Sequence, residues 1–160
     1  MRHVLSIVVE NKPGVLARVS ALFARRGYNI ESLAVGETED PAVSRITMVV
    51  SGDESILEQI TKQLHKLIDV VKIIDLTSTS YVDREMLLIR INVTPQARPE
   101  IMQIVDIFRA HIVDVSNNTM IIEATGNEGK IKAIADLLRR FGIKEIVRTG
   151  KIALSRGDKK

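Results

Sequence analysis

The residues best placed to hold a small ligand fall between Glu10 and Leu33. Pro13 in Glu10-Asn11-Lys12-Pro13-Gly14-Val15-Leu16 suits the first positions of a helix, because its φ is nearly helical and its missing N–H would be unpaired there anyway. Gly14 lets the backbone approach another group closely. N–H groups around Gly14, Val15 and Leu16 then lack an intrahelical partner and stand at the positive end of the helix, where a carboxylate fits. Asn11 and Asn29 offer side-chain oxygens for an ammonium group, and Val15, Leu16 and Ile30 offer apolar walls. The ligand class is an apolar amino acid. A strand-to-helix turn capped by Asn11 or by water accounts for the same residues without any ligand.

No other stretch assembles catalytic chemistry. His3, His65 and His111 lie in three different expected elements without metal-ligand spacing, so each reads as a surface or packing residue. Gly126-Asn127-Glu128-Gly129-Lys130 is too short for a P-loop and has Ile131 where the Mg²⁺-binding hydroxyl would stand; Glu128 would repel the phosphates that a KH loop clamps. A helix N-terminus explains both likenesses. The same holds for the acidic turn of Asp53, Glu54 and Glu58.

The elements that must position the turn repeat once. Residues 3–9 are a β-branched run, hence a buried strand. From 14 to 26, Val15, Val19, Leu22 and Phe23 keep helical spacing while Arg18, Arg25 and Arg26 turn away, and Gly27 stops the helix. Strands follow at about 29–36 and 43–51; in the second, Ile46, Met48 and Val50 face a core and Arg45, Thr47 and Val49 do not. Asp53 caps a helix striped by Leu57, Ile60, Leu64 and Leu67, and a strand at about 70–76 closes the unit. The polar run Thr77–Ser80 reads as a linker. Met86–Thr94, a helix opened by Pro99, a hairpin of His111–Val115 and Met120–Ala124, a helix carrying Ile131, Ile134, Leu138 and Phe141 and ending at Gly142, and a strand near Lys144–Arg148 then repeat the order. The expected fold is α+β: two tandem ferredoxin-like βαββαβ domains with helices on one face of each antiparallel sheet. Its boundaries are 1–77, a linker at 78–83 and a second domain at 84–160. In such a sheet the second strand lies at an edge, and 29–36 is apolar for an open edge. Pairing with a second chain would bring the 14–16 turn of one protomer near Asn29 and Ile30 of the other.

Composition removes several classes. A charge of +3 is too small to imply a polyanionic partner, and with no Trp and 3% aromatics no base-stacking platform is expected. The absence of cysteine excludes disulfides, thiol chemistry and thiolate metal sites. No apolar run approaches the roughly 20 residues that span a bilayer, and no signal-peptide pattern opens the chain, so a cytoplasmic protein is expected.

Glu10–Leu16 followed by Gly27-Tyr28-Asn29-Ile30-Glu31-Ser32-Leu33 resembles the start of an ACT domain, a small amino-acid-sensing module. The latter stretch, with Asp40-Pro41, Ser44-Arg45, Lys62-Gln63-Leu64-His65-Lys66-Leu67 and the tail Leu154-Ser155-Arg156-Gly157-Asp158-Lys159, resembles the small regulatory subunit of acetolactate synthase from end to end. The resemblance implies that Asn11, Gly14, Val15, Leu16, Asn29 and Ile30 hold a feedback effector, usually valine, with Lys12 and Pro13 where the family varies. It implies a homodimer and a large catalytic subunit carrying thiamine diphosphate, Mg²⁺ and FAD, which condenses two pyruvates or pyruvate with 2-oxobutyrate. The small subunit raises that activity, makes it sensitive to the end product and binds none of those cofactors. Two other readings stand beside it: an ACT-type sensor of another pathway, such as glycine or serine metabolism, and a ferredoxin-like nucleic-acid-binding protein.

Overall fold

The computed structural model describes residues 1–157. The first unit contains β1 (Arg2–Glu10), α1 (Val15–Ala24), β2 (Asn29–Glu37), β3 (Val43–Ser51), α2 (Glu54–His65) and β4 (Val70–Asp75). Its sheet runs β2-β3-β1-β4, antiparallel at every pairing, with β2 at an edge as expected. Pairing of Leu5 with Met48 and of Ile7 with Ile46 turns these residues, with Val9 and Val50, toward the helices. There they meet Val15, Val19 and Phe23 of α1 and Leu57, Ile60 and Leu64 of α2. Each such side chain, taken fully out of water, contributes about 1.5–3 kcal/mol, so this face dominates the unit's stability.

The helix ends follow their glycines and caps. Gly27 (φ +74°) closes α1: its N–H reaches Ala24 O at 3.3 Å and the Tyr28 N–H reaches Phe23 O at 3.1 Å, a Schellman pair. Asp53 caps α2 by accepting from the Ser55 N–H at 2.9 Å. Those hydrogen bonds hold its carboxyl below the usual carboxylate range.

The other sheet face departs from expectation. Val49 and Thr47, expected to face away from a core, are 0% and 2% exposed. Val4, paired with Val49, joins Leu76 and Ala153 in a second apolar cluster against which Tyr81 packs. The C-terminal strand β9 (Ile152–Ser155) supplies Ala153, and Lys151 is buried with its Nζ 5.9 Å from the Tyr81 ring centre.

The domain boundaries shift accordingly. The first compact unit takes Met1–Val82 together with the segment from Lys151, and the second takes Asp83–Gly150. The expected linker at 78–83 is instead a hydrogen-bonded turn, with the Thr79 N–H on Leu76 O at 3.0 Å, that enters β5 (Tyr81–Asn92). The Ser80 carbonyl accepts from the Arg156 N–H at 2.9 Å, which ties the tail to the first unit. Of the tail motif, Asp158 and Lys159 lie outside the described residues.

The second unit holds most of β5, α3 (Arg98–Ile107), β6 (His111–Val115), β7 (Thr119–Gly126), α4 (Glu128–Leu138), a single 3-10 turn (Arg139–Phe141) and β8 (Ile143–Arg148). The sheet order β6-β7-β5-β8 repeats that of the first unit. Leu87, Ile89, Ile91, Met120 and Ile122 face Ile101, Ile104, Ile131, Ile134 and Leu138. Asn127 caps α4 by accepting from the Lys130 N–H at 2.9 Å, so the glycine-rich stretch there is a helix N-terminus.

Candidate functional site

The bend before α1 is a type II turn, not a helix opened by proline. Gly14 has φ +84° and ψ −10°, and the Val15 N–H reaches back to Lys12 O at 3.4 Å. Pro13 therefore stands in the turn's second position, one residue before the helix cap. The left-handed conformation at its third position is what requires glycine there. Gly14 O accepts the first helical hydrogen bond, from Arg18 N–H at 3.1 Å, and no side chain caps the helix.

Of the three expected donors, the Gly14 and Leu16 N–H groups stay without an acceptor among the described residues, and Ala17 N–H joins them. Val15 N–H is committed to the turn. Ala17 was not singled out by the sequence, because the register of the turn decides it. Val15 also departs from its expected part as a ligand wall: its side chain is 3% exposed and belongs to the unit's own core. Leu16, 39% exposed, is the apolar side chain that this helix end presents to solvent.

Asn11 does not cap the helix. Its Nδ2 donates to Glu37 Oε1 at 3.1 Å and to Pro41 O at 2.9 Å, fastening the turn to the end of β2 and the loop after it. The amide oxygen is then the atom left to accept from an ammonium group. Lys12 pairs with Glu10 at 2.8 Å, and that contact raises the lysine's pKa, chiefly through its hydrogen bond and then through the glutamate's charge. Arg18 Nη2 lies 2.5 Å from Asp69 Oδ2.

Asn29 and Ile30 stand at the other end of β2, opposite Ser51 and Val50 of β3. Eight steps of strand separate Asn29 from Glu37, about 26 Å at ~3.3 Å per residue. Within one chain the six residues therefore form two groups, Asn11, Gly14, Val15 and Leu16 at one end of the sheet and Asn29 and Ile30 at the other. Tyr28 holds the second group in place: its ring packs where a Cβ on Gly52 would stand, and its hydroxyl donates to the Asp53 carbonyl. Burial pushes that hydroxyl's pKa up. Asn29 is exposed, Ile30 is half-buried, and the register shift between Ile30 and Ser32 places Glu31 in a bulge. Bulges on edge strands re-aim the side chains beside them.

Among the described residues no group of three or more His, Asp or Glu stands together as metal ligands. A basin of about 480 Å³ lined by Arg26, Gln59, Lys62, Gln63, His65 and Lys66 sits at the C-terminal ends of α1 and α2, away from the turn. Helix C-termini favour such cations without any ligand. Among the described residues no helix is long and apolar enough to cross a membrane.

Comparison with known proteins gives consistent matches. Residues 5–72 match the family described as an AHAS small subunit-like ACT domain, and residues 84–157 match the family described as the small subunit of acetolactate synthase. A protein of Archaeoglobus fulgidus named "probable acetolactate synthase small subunit" is 55% identical over 160 residues, covering 100% of both chains. The acetolactate synthase small subunit of Mycobacterium bovis is 52% identical over 155 residues, 97% of this chain and 92% of its own. The crystal structure of the acetolactate synthase small subunit from Thermotoga maritima matches with a TM-score of 0.88 at 44% identity, covering 99% of each chain.

Proposed function

The chain belongs to the acetolactate synthase small-subunit family, whose members serve a large catalytic subunit, and from that premise we propose that it activates that subunit and renders it sensitive to valine or a related branched-chain amino acid. The condensation of 2-oxo acids, with its thiamine diphosphate, Mg²⁺ and FAD, is assigned to the large subunit, and no step of that chemistry to this chain.

One observation carries the effector reading: the six candidate residues form two groups, Asn29 and Ile30 at one end of an open edge strand and the Asn11–Leu16 turn beside its other end. A two-fold axis near the middle of β2, at Leu33, would pair two copies of this strand antiparallel. The Asn29 end of one protomer would then lie beside the Asn11–Leu16 turn of the other, giving two equivalent clefts. Each would contain the Leu16 and Ala17 N–H groups for a carboxylate, the Asn11 and Asn29 oxygens for an ammonium group, and Leu16 and Ile30 for an aliphatic side chain. The edge suits such pairing: Val35 is 47% exposed and Leu33 and Ala34 are half-buried, an apolar run whose outer backbone groups have no strand to bond. An effector seated between protomers regulates only if it binds one arrangement of the pair more tightly than another.

The test is reconstitution. Adding this chain to a large subunit should raise acetolactate formation, and valine should reverse the increase. No change in rate on adding the chain would sink the activating role, and an increase that ignores all three branched-chain amino acids would sink the sensor role. A nucleic-acid-binding function finds no support in the aromatic residues: Phe23 is fully buried, and Phe108 and Phe141 pack against the second core.

A further inference from the structure

We infer that Arg18 is the side-chain receptor for the effector's carboxylate, a role that rests on the effector occupying the turn before α1. Arg18 lies one helical turn after Gly14, and helical side chains lean back toward the N-terminus, over the turn that precedes them. Its guanidinium does so: Nη1 stands 3.1 Å from the point where a Cβ on Gly14 would be. The other terminal nitrogen, Nη2, is held 2.5 Å from Asp69 Oδ2. Asp69 is itself anchored, since its carbonyl accepts from the Glu10 N–H at 2.8 Å and its side chain is 14% exposed. The Arg18 side chain is 50% exposed, with one terminal nitrogen of the fork clamped by Asp69 and the other standing over the glycine.

This arrangement adds a charge to a site otherwise built of amides. The guanidinium has five N–H donors in a rigid plane, and the pair with Asp69 leaves donors unused. A carboxylate drawn to the unpaired Leu16 and Ala17 N–H groups arrives beside Nη1 and accepts from it as well. Charge-assisted bonds of this kind are roughly twice as strong as neutral ones. Glycine at 14 is thereby required for two reasons, the left-handed φ and the space the guanidinium and the carboxylate share. A merely stapling role for Arg18 predicts something different, because a half-exposed ion pair adds little to stability and nothing to ligand choice.

The experiment compares L-valine with L-valinamide, which keeps the ammonium and the side chain but lacks the acid group. Calorimetry on the full chain should show valine preferred. In Arg18→Gln the valine affinity should fall about ten- to a hundredfold, the loss of one hydrogen bond to a charged group. Its valinamide affinity should stay within about twofold, so that the preference collapses. Arg18→Lys, which keeps the charge without the fork, should fall between the two and serves if the glutamine variant does not fold. Equal losses for both ligands, or no loss for valine, would overturn the assignment of Arg18 while leaving the effector site standing. A native chain that binds neither ligand would instead overturn the effector reading, and this assignment with it.

Discussion

Gly14 concentrates the constraints of the turn. Any other residue there must take φ +84°, which costs on the order of 1–3 kcal/mol for a side chain that is not glycine, less for Asp or Asn. In Gly14→Asp the new Cβ would stand 3.1 Å from Arg18 Nη1, so the introduced carboxylate meets that guanidinium from within the chain. We expect this variant to lose inhibition by valine while still activating the large subunit, read as acetolactate formation with and without valine. Sensitivity equal to that of the native chain would remove Gly14 from the site. The need for glycine at 14 was legible in the sequence because a tight turn acts through its own backbone, whereas the place of Pro13 before the helix and not in it was set by the register of that turn. Arg18 was not legible: helical spacing alone turned it outward, and only the register of the turn shows that it leans back over Gly14.

At the scale of the element, the edge strand β2 decides whether the two half-sites meet. It is apolar on its outer reach, Val35 being 47% exposed, and it already carries Glu31 and Glu37. Val35→Asp adds a third carboxylate to an edge that faces its own copy in the proposed pairing, and like charges across paired strands destabilise such a pairing. Sedimentation should show the dimer dissociating at least about tenfold more readily, a change of ~1.4 kcal/mol. Circular dichroism should stay unchanged, since the side chain is outside the core. Calorimetry should show valine binding weakening in step with the dimer. A monomer that binds valine as tightly as the dimer would overturn the shared cleft. The edge position of β2 followed from its place in a βαββαβ order, whereas the bulge at Glu31 left no mark in residue types.

At the scale of the molecule, the last strand completes the first unit. Ending the chain after Gly150 removes Ala153 and Lys151 and uncovers Val4, Val49 and Leu76, on the order of a few kcal/mol of apolar burial. Hydrogen exchange should then show amides of β1 and β3 losing protection while those of β7 keep theirs. Unchanged protection in β1 and β3 would mean that β9 is dispensable to the first unit.

Residue order alone determined what depends on neighbours a few positions apart. Helix stripes such as Leu57, Ile60 and Leu64, the cap at Asp53, the stop at Gly27 and the doubled βαββαβ order all follow from local spacing and backbone preference. Tertiary structure decided what depends on partners far along the chain. It buried Val49 on the face expected to be open, because a strand about a hundred residues downstream packs in the same unit. It also tied up the Val15 N–H, left that of Ala17 free, and set the candidate residues in two groups near opposite ends of one strand. Periodicity reports which face of an element is apolar. It carries no record of which distant segment will cover the other face.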